Sequence, residues 1–126
     1  MLLDTSIIVD LLKGDERIVG LLKKEAQKEP FFLSLIQLGE LADWALANGL
    51  DPLDVIDTAK KAASAVDLTE EICLSASRTK RKQRKRGKGK FSLIDGIIAA
   101  TAASIDQKLL TRDRDFDGLE NAIIIE

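Results

Sequence analysis

The apolar positions of the chain fall into short blocks divided by polar residues, and the spacing inside each block names its element. Leu2-Leu3, stopped by Asp4, predicts a very short buried strand. Ile7, Ile8, Leu11 and Leu12 recur at helical spacing within Ser6–Leu12, a helix ended by Gly14. Asp15 is placed to cap a second helix carrying Ile18, Val19, Leu21 and Leu22. Pro30-Phe31-Phe32-Leu33 is a compact apolar run and predicts a strand. Ser34 opens a third helix, with Gln37 at the capping-box position and Asn48-Gly49 as its stop. Asp51-Pro52 supplies an N-cap and a first-turn proline for a fourth helix ending near Ala65, and Ala65–Leu68 is a candidate strand. Thr69 caps a helix that runs through Ile72, Leu74 and Ala76 into a basic stretch broken by Gly87 and Gly89.

Ser92 then caps the most apolar helix of the chain, built on Leu93, Ile94, Ile97, Ile98, Ala99, Ala100, Ala102, Ala103 and Ile105. A helix apolar nearly all round belongs in the middle of a domain. Lys108–Thr111 and Ala122–Ile125 predict two further strands. Short apolar strands alternating with helices imply an α/β fold, a short parallel sheet sandwiched by helices, and the 126 residues suit a single domain over 1–126.

Composition narrows the chemistry chiefly through what is missing. The chain has no histidine and no tyrosine, and Cys73 is its one cysteine. Ser-His-Asp and Cys-His triads, histidine base catalysis and the common zinc sets are thereby excluded. A lone thiol forms no internal disulfide and fits a reducing cytoplasm. No apolar run approaches the ~20 residues that span a bilayer, and Met1–Asp4 has no signal-peptide character.

The net charge of −2 hides a strong separation. Arg78, Lys80, Arg81, Lys82, Arg84, Lys85, Arg86, Lys88 and Lys90 form a run of nine bases with no acid, while the rest of the chain holds ten bases against twenty-one acids. Such a run is either a solvated helix end or a surface for an anionic polymer, and the two glycines suggest a mobile loop.

Among the acids, Asp4 and Asp113 follow predicted strands, on the side where open α/β sheets place their ligand crevice. Asp4 is equally suited to cap the next helix, and Asp113 to occupy a turn. Asp95 lies in the first turn of the most apolar helix, where a charge needs a partner or a metal, although Ser92-x-x-Asp95 also reads as a capping box. The apolar stripe of the third helix centres near Leu35, Leu38, Ala42 and Ala45, which puts Glu40 on the surface. Asp113–Gly118 imitates the opening of a calcium-binding EF-hand loop, but the twelfth position is Ile124 and the segment follows a strand, so the match is false.

Four segments taken together carry a resemblance: Leu2-Leu3-Asp4-Thr5-Ser6, Ser34–Leu41, Ser92–Ala102 and Leu110-Thr111-Arg112-Asp113-Arg114-Asp115-Phe116. In this order and spacing the chain resembles the PIN-domain nucleases, most closely the VapC toxins of prokaryotic toxin–antitoxin pairs, over nearly its whole length. The resemblance implies an acidic quartet of Asp4, Glu40, Asp95 and Asp113 that binds Mg2+ or Mn2+, with Glu40 assigned by the resemblance alone. Thr5 and Ser6 supply the hydroxyl expected beside the first aspartate, and Thr111 and Asp115 are supporting positions. It further implies endonucleolytic hydrolysis of RNA to 5′-phosphate and 3′-hydroxyl ends, and a VapB-like antitoxin that blocks the site. The apolar residues of the early helices, Trp44 among them, suit an antitoxin groove or a homodimer interface, although core packing accounts for most of them.

Other readings of the same residues are a housekeeping RNA-processing nuclease and a non-catalytic RNA-binding adaptor. A receiver domain would show paired acids after the first strand. A haloacid-dehalogenase-type phosphatase would place a second aspartate where Ser6 stands.

Overall fold

The computed structural model describes residues 1–126. Its elements are β1 (Leu2–Leu3), α1 (Thr5–Leu12), α2 (Glu16–Ala26), β2 (Phe32–Ser34), α3 (Leu35–Ala47) and α4 (Pro52–Ala62). They continue with β3 (Ser64–Val66), α5 (Glu70–Lys85), α6 (Leu93–Ser104), β4 (Leu109–Thr111), a 3-10 turn (Arg114–Phe116) and β5 (Ala122–Ile124). The strands form one sheet in the order β3-β2-β1-β4-β5, and every neighbouring pair is parallel.

Two residues suffice for β1 because it is the central strand, hydrogen-bonded on both sides, with Leu2 opposite both Phe32 and Leu109. Alternation along the strands then divides the core. Leu3, Leu33 and Leu110 point to one face and pack with Ile7, Ile8, Ile18, Leu22, Leu41 and Ala59 of α1–α4. Leu2 and Leu109 point to the other and pack with Ile98, Ala99, Ala102, Phe91 and Phe116. The rings of Phe91 and Phe116 meet edge to face at 5.3 Å.

The expected elements all form, with shifts at their ends. Asp4 caps α1, so that helix begins at Thr5. The fourth helix stops at Ala62 and its strand is Ser64–Val66, because the register of β3 is set by pairing with Phe32–Ser34. One expectation is corrected: α6 is buried from Gly96 to Ala102, but Leu93 and Ile94 in its first turn are exposed. Neither side chain joins a packed cluster, so the apolar character of the helix runs one turn beyond its buried part.

Because β2 and β3 are added on one side of β1 and β4 and β5 on the other, the strand order reverses beside β1. A crevice opens at the carboxyl ends of strands at such a switch point. Asp4 stands at the end of β1 and Thr111 at the end of β4.

Candidate functional site

Asp4 is only 7% exposed. As N-cap of α1 its Oδ1 accepts from the Thr5 amide at 2.9 Å, and its Oδ2 accepts from the Thr111 hydroxyl at 2.6 Å. The same Thr111 oxygen accepts from the Asp113 amide at 3.0 Å, so one buried hydroxyl joins the ends of β1 and β4. On the other side, Thr5 donates its hydroxyl to Glu40 Oε1 at 2.6 Å. Gln37 is fully buried. Its amide nitrogen donates to Leu3 O at 2.8 Å and to Thr5 Oγ1 at 3.2 Å, and its Oε1 accepts from the Ser34 amide at 2.7 Å. The Ser34 hydroxyl, the other half of the expected capping box, has no hydrogen-bond partner.

Asp95 does form its box: Oδ2 accepts from the Ser92 amide at 2.8 Å, and its own amide donates to Ser92 Oγ at 3.1 Å. Asp113 caps the 3-10 turn, its Oδ1 accepting from the Asp115 amide at 2.8 Å.

The electrostatics of the group are those of crowded acids. Burial, followed by the nearby charges of Asp95 and Glu40, pushes the Asp4 carboxyl up to about 6 against the hydrogen bonds that lower it. Glu40 is raised by burial and by Asp95, and Asp95 by burial and by Asp113 and Asp115. Asp95 is therefore the hub that feels both halves of the cluster. No Lys or Arg pairs with Asp4, Glu40, Asp95 or Asp113. Arg112, between Thr111 and Asp113, turns instead to Asp10 at 3.1 Å and Asp15 at 3.9 Å, and Arg114 pairs with Glu126.

A buried carboxylate among other acids, with no cation opposite, fits a divalent cation. The donors are oxygens alone, which selects a hard ion such as Mg2+ or Mn2+. No three of the acids stand together closely enough to hold an ion among them, so direct ligation would fall to one or two carboxylates, as Mg2+ with its several waters accepts.

A family model described as PIN domain matches residues 1–121. The chain belongs to the PIN-domain family. Similar solved structures cover the chain almost end to end. One is a toxin–antitoxin complex from Klebsiella pneumoniae, at 25% identity and TM-score 0.77, covering 97% of this chain and 94% of that one. VapBC-1 from nontypeable Haemophilus influenzae matches at 20% identity and TM-score 0.78, covering 99% and 96%. FitAcB from Neisseria gonorrhoeae matches at 24% and 0.75, covering 98% and 96%. No curated protein matches the chain.

Within this PIN domain, Asp4, Glu40 and Asp113 all neighbour Asp95 at one end of the sheet, with Thr5, Thr111 and Asp115 hydrogen-bonded among them. Ser6 is exposed and bonds to none of these acids. Glu40 is half-buried, against the surface position expected from periodicity. The buried line of α3 is Gln37, Leu41 and Ala45, which moves the stripe by about 80° and brings Glu40 to its flank. Polarity alone suggests a cap for Gln37 and only a place in the basic run for Gln83, yet both are buried. Their signal was spacing: Gln83 continues the line of Ile72 and Ala76 on the packed face of α5.

The basic run divides by face. Arg78, Arg81, Lys82 and Lys85 are exposed and project away from that packed line. Arg84 Nε donates to Phe91 O at 2.9 Å, and Arg86 donates to Gly118 O at 3.0 Å. The glycine segment is a hydrogen-bonded turn, with the Lys88 amide on Gln83 O at 3.0 Å and the Phe91 amide on Lys88 O at 3.1 Å.

The raised carboxyls fix the pH dependence of the metal-free PIN domain. A buried acid with a folded value of about 6 against an ordinary 3.8 costs the fold nothing below 3.8, and its ionised form weighs against the fold fully above 6. The melting temperature in EDTA is expected to fall as pH rises from 4 to 7, and to level off afterwards. A thermal-melt series checks this, and rising stability across that window would contradict it.

Proposed function

We propose that this PIN domain is a divalent-metal-dependent endoribonuclease and the toxin of a VapBC-type toxin–antitoxin pair. The observation that carries the reading is the uncompensated acid cluster around buried Asp4 at the switch point of the sheet. Asp4 and Asp95 would hold Mg2+ or Mn2+, with Glu40 and Asp113 completing the set. An ion held by these acids would supply charge neutralisation at the scissile phosphate and a more acidic water, chemistry that needs no histidine. Thr5 and Thr111 keep both Asp4 oxygens oriented, and each oxygen retains a lone pair. The exposed bases of α5 offset the repulsion between the acids and RNA.

The purified protein is expected to cut single-stranded RNA with Mg2+ or Mn2+, to stop in EDTA, and to lose activity in Asp95→Asn. Undiminished cleavage in EDTA, or a parental rate in Asp95→Asn, would overturn the mechanism. The toxin assignment is supported by the complex from Klebsiella pneumoniae, described as a toxin–antitoxin complex. An antitoxin has matching chemistry to grip: an Arg fork for the acids, and an open groove lined by Leu12, Trp44, Leu50 and Val55. Expression alone should arrest growth, and the product of the adjacent gene should bind tightly and reduce cleavage. No growth effect and no binding neighbour would favour the housekeeping reading.

The salt dependence of RNA binding tests the basic face. If Arg78, Arg81, Lys82 and Lys85 each meet a phosphate, log affinity should fall against log salt with a slope near −3, from about −0.7 per contact on single strands. Alanine at all four should flatten the slope. An unchanged slope would make the face a solvated bystander.

A further inference from the structure

Gln83 is the one uncharged residue from Lys80 to Arg86, and it is fully buried. Its amide nitrogen donates to Asp115 O at 2.8 Å and to Asp117 O at 2.9 Å, holding the far end of the turn that Asp113 opens. Its Oε1 accepts from Arg86 at 3.1 Å, and Arg86 also donates to Gly118 O. Gly118 has φ +89°, and a Cβ there would lie 2.9 Å from the Arg86 guanidinium, so glycine is required for this brace to close. Seven residues earlier on the same helix, Ala76 meets α6 at Gly96, directly after Asp95, so closely that a Cβ on Gly96 would stand 2.5 Å from Ala76 O.

One helix therefore registers two parts of the acid cluster. Ala76 fixes the height of Asp95, and Gln83 fixes the turn bearing Asp113 and Asp115. The two contacts are about 10 Å apart along α5, and the solvent face of the same helix carries the basic stripe. We propose that Gln83, gripped by Arg86, is a positioning residue that sets Asp113 and Asp115 against Asp95 for metal binding, and so ties the RNA-binding helix mechanically to the metal site. This rests on the acid cluster being a metal site, as proposed above.

The test uses the full chain with Mn2+ as the probe, read by calorimetry, and RNA affinity measured separately in EDTA. Gln83→Met keeps the side-chain length without N–H donors, and Gln83→Glu keeps the acceptor for Arg86 while offering the two carbonyls nothing. Both are expected to weaken Mn2+ binding about tenfold or more, the scale of outer-shell substitutions. RNA affinity in EDTA should stay within about twofold, and kcat should fall with KM unchanged. Arg86→Ala, which leaves Gln83 in place but loosens its grip, should weaken Mn2+ binding in the same direction and serves if the Gln83 variants do not fold. Lys82→Ala should lower RNA affinity and leave Mn2+ binding alone. Parental Mn2+ affinity in folded Gln83 and Arg86 variants would overturn the positioning role. A parent that binds no Mn2+ would overturn the metal-site reading along with it.

Discussion

Asp4→Asn is expected to melt above the parent in EDTA at pH 7.5 and to cut no RNA. A carboxyl moved from 3.8 to about 6 burdens the folded state with about 3 kcal/mol when ionised. Asparagine removes that charge but offers one acceptor oxygen to two donors, the Thr5 amide and the Thr111 hydroxyl, a loss of about 1 kcal/mol. The net gain of about 1–2 kcal/mol corresponds to roughly 5 °C in a domain of this size. The advantage should vanish near pH 4, where the parental carboxyl is protonated. Saturating Mn2+ should reverse the order, since an ion at a hundred times its Kd adds about 2.7 kcal/mol to a protein that binds it and nothing to one that does not. Cleavage should fall by more than ~100-fold, because groups merely supporting a ligand already cost 10–100-fold. A variant that melts lower at pH 7.5 in EDTA, or that still cleaves, contradicts the account.

Gly96→Ala should be the most damaging single methyl group in the chain. Its Cβ would stand 2.5 Å from the Ala76 carbonyl oxygen and 3.1 Å from the carbonyl carbon, both backbone atoms that cannot rotate aside. The helices must separate, at a cost of about 3 kcal/mol or more that outweighs the roughly 1 kcal/mol by which alanine favours a helix. A melting temperature lower by about 6–10 °C is expected. Mn2+ binding should weaken too, since Asp95 is the preceding residue. Gly20→Ala is the control: nothing lies within 4 Å of its Cβ position on α2, so the same change should be neutral or stabilising. Equal effects at the two sites would show that helix propensity, and not the α5–α6 approach, decides the outcome.

The strands and helices were legible because their apolar spacing is strong and their caps are explicit: Asp15, Asp51, Thr69 and Ser92 each accept from a backbone amide of the helix they open. Asp4 and Asp113 were legible as strand-end acids, and Asp95 as a charge in an apolar turn. Glu40 was not, because an apolar count gives Gln37 no weight, whereas satisfied hydrogen bonds let a glutamine fill the core as well as a leucine. Gln83 was hidden for the same reason inside a run that charge alone describes. Spacing also made Leu93 and Ile94 look internal, since a pattern on one helix does not tell which of its turns another element covers.

The hydrogen bond from Thr111 to Asp4 spans 107 positions of sequence. On a ribosome adding about 5–20 residues each second, Asp4 waits roughly 5–20 s for that partner to be made. Until β4 emerges, β1 has an empty side and the acids of the cluster have no common frame. A chain cut short by a stalled ribosome would carry Asp4, Glu40 and even Asp95 and still be inert. The topology thus sets a clock on the activity proposed here, withholding it from every nascent chain until Thr111 has been made and β4 can pair.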